Sequence, residues 1–222
     1  MQDYTSLAQE HHGLFITFEG GEGCGKSLQS RMLFDWIASF KDAVILTREP
    51  GGTNLSENIR NWLLVGNINS WDPITEALLF LAARSDHWFK KILPALKAGS
   101  FVICDRFQDS SVVYQGMCKG VPLDILDKIY LKITGGRYPD RTYLLDIPPE
   151  VGIKRSISRR NNNETRFENM DIEFHKKVRS SFLKLARHHS GRYLILDGNL
   201  SPDEIHKKIK EDLIQQFRNI FS

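Results

Sequence analysis

LFITFEGGEGCGKS, residues 14–27, is the stretch that decides the fold. Its first half is a short, near-continuous apolar run, the pattern of a strand covered on both faces. Its second half, Gly20-Gly21-Glu22-Gly23-Cys24-Gly25-Lys26-Ser27, matches G-x-x-x-x-G-K-[ST] where that pattern carries meaning, with a strand before it and a helical pattern after it. Glycines let successive backbone N–H groups curl around an anion, and the helix N-terminus adds partial positive charge. Lys26 is placed to reach the β- and γ-phosphates of ATP, and the Ser27 hydroxyl to ligate Mg²⁺. Residues 20–27 are therefore the candidate nucleotide-binding loop; the plain alternative is a glycine-rich turn.

Outward from this loop the chain alternates strand with helix. Four more apolar runs read as buried strands: Ala43–Glu49, Phe101–Arg106, Arg141–Ile147 and Arg192–Asp197. After Lys26, the residues Leu28, Met32, Leu33, Trp36, Ile37 and Phe40 keep a helical period. Asp72-Pro73 starts a helix with proline at its first position, and Ser201 with Glu204 forms a capping box. The pattern predicts an α/β fold of the P-loop NTPase kind, with a five-stranded parallel sheet wrapped by helices.

The 222 residues suit one such domain over residues 13–222, and 41% hydrophobic with 26% charged residues suits a globule. A net charge of +3 is too small to argue for nucleic acid, and no apolar run approaches a membrane span. Cys24, Cys104 and Cys118 form no C-x-x-C pair and read as reduced thiols of a cytoplasmic protein. Residues 1–12 are polar and read as a disordered extension. Residues 155–168, RSISRRNNNETRFE, are basic and short of apolar anchors, so they read either as a solvated loop or as a mobile lid over phosphates. With no N-K-x-D guanine motif, a small-molecule kinase is favoured over a GTPase switch.

Two further stretches, TREPGGT at 47–53 and DRFQDSSVVYQG at 105–116, join the phosphate loop and FHKKVRSSFLKLA at 174–186. Together they resemble the thymidylate kinase family, from about Leu14 to Asp197. The resemblance implies a nucleoside monophosphate kinase fold, ATP and dTMP as substrates, Mg²⁺ and a homodimer. It implies that Arg48 and Arg106 clamp the acceptor phosphate, that Phe80 stacks on the base and that Arg84 bonds its edge. Ser110, Tyr114 and Gln115 would line sugar and base, with Tyr114 excluding a ribose 2′-hydroxyl. Asp105 would sit near the metal and Glu22 near the acceptor's 3′-hydroxyl. It also places a cis proline after Glu49. Taken alone, Arg48 reads equally as a surface ion pair, Phe80 as core, Asp105 as a loop cap and Tyr114 as a half-buried aromatic. One branch of the family carries an arginine where this chain has Gly23. The missing cation is then expected from the lid, with Arg159 first, Arg166 next, and Arg155 and Arg160 behind. The remaining alternatives are a kinase for another small acceptor and a nucleotide-binding protein without turnover.

Overall fold

The computed structural model describes residues 13–68, 70–158 and 166–221. Five strands, β1 (Phe15–Glu19), β2 (Val44–Arg48), β3 (Phe101–Asp105), β4 (Arg141–Asp146) and β5 (Tyr193–Asp197), form one parallel sheet ordered β2-β3-β1-β4-β5. These are the five expected strands, trimmed by a residue or two at their ends. The helices are α1 (Lys26–Ala38), α2 (Asn54–Leu64), α3 (Pro73–His87), α4 (Leu93–Lys97) and α5 (Gln108–Ser111). They continue with α6 (Leu123–Thr134), α7 (Pro149–Ser158), α8 (Ile172–His188), α9 (Pro202–Gln216) and α10 (Arg218–Phe221).

Both faces of the sheet are buried, which is why its strands are apolar throughout. On one face Leu33 and Ile37 of α1 and Ile209 and Leu213 of α9 pack on Ile16, Phe18, Ile103 and Leu145. On the other, Leu81, Trp88, Leu126 and Tyr130 pack on Phe15, Val102 and Cys104. Burying each such side chain contributes about 1.5–3 kcal/mol. The α1 pattern is narrower than expected: Leu28 and Phe40 are 38% and 46% exposed. The helix ends at Ala38, and the Phe40 ring instead stands edge-on to Trp36 at 5.1 Å. Asp72 caps α3 and the Ser201–Glu204 box caps α9, both as expected.

The sheet order brings the carboxyl ends of β1, β2 and β3 side by side, with Phe18 opposite Asp105 and Arg48 opposite Asp105 on the other flank. The connection from β1 runs to one side, to β2, and that from its neighbour β3 to the other, to β4; in such sheets ligands bind outside the strand ends at that switch point. A wide π-helical segment, Val112–Cys118, follows α5 and turns Tyr114 and Gln115 toward the same end.

Candidate active site

The loop between β1 and α1 is built as its glycines dictate. Gly23 has φ 64°, and a Cβ there would lie 1.9 Å from the Gly152 carbonyl oxygen of α7. A Cβ on Gly152 would in turn meet the Glu22 carbonyl oxygen at 2.3 Å. The two backbones touch, so no side chain, arginine included, fits at position 23. Lys26 Nζ donates to the carbonyl oxygens of Gly20 and Gly21 at 3.2 and 2.6 Å. Ser27 Oγ donates to Asp105 Oδ2 at 2.5 Å, joining loop and β3 end. Two hard oxygen ligands, Ser27 at the start of α1 and Asp105 at the end of β3, would suit Mg²⁺. Cys24 turns its side chain into the core, 2% exposed, so that within the loop it offers its backbone.

A charged cluster is bonded to the loop. Arg106 sits in the left-handed region at φ 68°, an uncommon place for a side-chain-bearing residue. It is held there on both sides: its N–H donates to Phe18 O at 2.9 Å, and the next N–H, of Phe107, donates to Glu19 Oε1 at 2.8 Å. Its guanidinium then donates to Gly20 O, Ser110 Oγ and Glu22 Oε1, at 3.0, 3.1 and 2.8 Å. The Tyr114 hydroxyl donates to the same Glu22 oxygen at 3.0 Å. Burial by itself would raise the Glu22 carboxyl; Arg106, then Lys26 and the Tyr114 hydroxyl, overcome it and bring the group down to about 2. A carboxylate in a phosphate loop is thus tolerated because a guanidinium faces it. Burial and the Glu22 charge together push the Tyr114 phenol well up, so it stays a donor.

Arg84 and Phe80 line the same cleft. Arg84 is 2% exposed and donates to Glu49, Gln108, Ser111 and the Phe107 carbonyl. Phe80 lines the cleft, its ring 6.2 Å from that of Phe167, which stands edge-on to Tyr114 at 5.5 Å. Gln115 Nε2 donates to Glu76, fixing the orientation of its amide. Arg48 lines the cleft too, half exposed, and pairs with Glu57 at 3.1 Å, so it is at once a surface ion pair and a cleft cation. The Glu49–Pro50 bond is cis.

The expected lid is tied down at both ends. Residues up to Ser158 belong to α7, and Arg155 donates to Gly198 O at 2.8 Å. Arg159 and Arg160 lie outside the described residues. Arg166 departs from the expectation of a lid cation. Its guanidinium is 1% exposed, pairs with Glu76, and donates to the carbonyls of Leu63, Asn67 and Ile68. It does not line the cleft, because a guanidinium needs acceptors when buried and these four supply them.

Sequence reading missed Glu49, Arg60, Gly152 and Phe167. Glu49 stood in plain view beside Arg48. Phe167, an aromatic in a polar run, carried only a faint signal. Arg60, which donates to Pro50 O at 2.8 Å, carried none.

One cleft of about 340 Å³ therefore joins a phosphate loop, a candidate metal pair and four arginines, Arg48, Arg60, Arg84 and Arg106. The comparisons with known proteins agree with that arrangement. A family model described as thymidylate kinase matches residues 18–209. A thymidylate kinase of Ruegeria pomeroyi is 44% identical over 90% of this chain and 93% of its own length. One of Geotalea daltonii is 45% identical over 86% and 92%. A crystal structure of thymidylate kinase from Ehrlichia chaffeensis superposes with a TM-score of 0.74 at 32% identity, covering 90% of this chain and 98% of that one. The matches are full-length and span the loop, the TREPGGT and DR…YQG stretches and α8 alike, so the chain belongs to the thymidylate kinase family.

Proposed function

We propose that the chain transfers the γ-phosphate of ATP to dTMP, giving dTDP, and that the cleft residues divide the work as follows. The observation that carries this reading is that Arg106 and Tyr114 bind Glu22 of the phosphate loop in the same cleft that Arg48, Phe80 and Arg84 line. ATP lies along residues 20–27, with Lys26 turning from the loop carbonyls to the phosphates. Ser27 and Asp105 would hold Mg²⁺, which would supply positive charge beside the phosphates. The dTMP phosphate sits between Arg48 and Arg106, so that one of its oxygens faces the γ-phosphate in line. Glu22 accepts from the sugar 3′-hydroxyl. Tyr114, buried and pinned by Glu22, fills the space a 2′-hydroxyl would need. Arg84 presents donors to the base edge while Phe80 and Phe167 flank the ring.

Phosphoryl transfer is catalysed by positioning and charge, so the chain has little covalent chemistry to do. Position 23 is closed to a cation, and the reading assigns that role to Arg159. The active form is a homodimer in the cytoplasm. The test is a coupled assay with dTMP, dUMP and UMP as acceptors, in wild type and Arg159→Ala. The expected result is turnover with dTMP far above UMP, and a fall in kcat on the order of a hundredfold or more in the variant at steady ATP KM. Equal kcat/KM for dTMP and UMP, or an unchanged kcat in the variant, refutes the corresponding part.

A further inference from the structure

Glu49 is a buried carboxylate that the proposed chemistry does not use. It is 4% exposed and engaged by both oxygens: Oε2 accepts from Arg84 Nε at 2.7 Å, and Oε1 from His87 Nδ1 at 3.1 Å. A carboxylate only accepts, so Nδ1 carries the proton. In the neutral ring Nε2 then accepts from Thr47 Oγ1, 2.7 Å away. Arg84 and His87, 2% and 0% exposed, both belong to α3; Thr47 and Glu49 flank Arg48 at the end of β2. Packing makes the joint tight, since a Cβ on Gly52 would lie 2.5 Å from His87 Nε2 and 2.6 Å from Thr47 Oγ1.

The other acceptors of Arg84, Gln108 Oε1, Ser111 Oγ and Phe107 O, are neutral. Glu49 is thus the anion that makes a buried guanidinium tolerable at the base end of the cleft. Its own N–H donates to Asp105 O at 2.9 Å, so the same residue is anchored to the β3 end.

We infer that Glu49 is a positioning residue: it clamps Arg84 at the base end to the strand end that carries Arg48 at the phosphate end, making the acceptor site one rigid unit. This rests on the reading of Arg84 as the base contact. A base that draws on Arg84 then meets a donor already aimed, and the two ends of the acceptor keep a fixed separation.

The experiment is a double-mutant cycle of Glu49→Gln, Arg84→Ala and the double variant, reading KM for dTMP, KM for ATP and the urea midpoint. The glutamine keeps size but puts a donor against Arg84 or His87. The expected result is a dTMP KM raised on the order of tenfold or more in each single variant. ATP KM should stay steady, and the double variant should be no worse than Arg84→Ala. Full additivity, or a Glu49→Gln protein with wild-type dTMP KM beside an impaired Arg84→Ala, overturns the inference and leaves the base-contact reading standing. A normal dTMP KM in Arg84→Ala overturns both. If Glu49→Gln does not fold, His87→Gln removes the outer arm and is read by the same criteria.

Discussion

Replacing Arg166 by alanine separates a structural from a catalytic role for the arginine next in line after Arg159. The guanidinium is 1% exposed and bound to Glu76, itself 0% exposed, and to the carbonyls of Leu63, Asn67 and Ile68 at 3.0, 3.0 and 3.2 Å. Removing one partner of a buried ion pair costs about 3–5 kcal/mol. Here the charge of Glu76 stays compensated, since Lys119 donates to both of its oxygens at 2.8 Å, so the low end applies to the ion pair. The lost bonds to carbonyls at the end of α2 add roughly 1 kcal/mol, giving about 4 kcal/mol in all. For a chain of this size that lowers Tm by about 8–16 °C. The assay is urea and thermal unfolding followed by circular dichroism, with kinetics measured well below the transition. The folded variant should keep kcat within about tenfold of wild type. A wild-type Tm together with a kcat loss of two orders or more would refute the structural reading and return Arg166 to the chemistry.

Lys26→Ala should keep the unfolding transition and lose phosphoryl transfer by orders of magnitude; near-normal turnover would remove the phosphate-loop assignment. Tyr114→Ala should narrow the dTMP-over-UMP ratio in kcat/KM while moving ATP KM little, and an unchanged ratio would free Tyr114 from sugar selection. Gly152→Ala puts a Cβ 2.3 Å from Glu22 O, so ATP affinity should drop by more than the fold's stability does, as titration against an unfolding curve would show. Glu19 is pushed up to about 7 from 4.5, first by burial and then by Asp109. The native state therefore binds the extra proton between those values, and this group's contribution to stability is lost as pH rises through that window. Glu19→Gln should flatten the corresponding fall in Tm between pH 5 and 8, and a slope equal to wild type would show that Glu19 titrates elsewhere.

What could be read from the chain alone was whatever its neighbours along the chain dictate. Strands buried on both faces declare themselves as apolar runs, caps as Asp72-Pro73 and Ser201 with Glu204, and the phosphate loop as glycines at fixed spacing before Lys26-Ser27. The TREPGGT and DR…YQG stretches carried family membership and several residues that line the candidate cleft for the same reason. Tertiary structure decided which charges meet. Glu22 finds Arg106 across 84 positions, Arg166 finds Glu76 across 90, and Glu49 finds Arg84 across 35. Before those pairs form, Arg106 and Arg166 are both arginines in polar surroundings. Afterwards one faces the phosphate loop and the other is sealed under α2, because burial strands a guanidinium wherever acceptors are lacking and the fold alone says where they stand. The glycine at 23 is the same lesson in sterics: its place in the loop could be read locally, but the backbone of Gly152 that forbids a cation there arrives with α7, after the neighbouring strand β4.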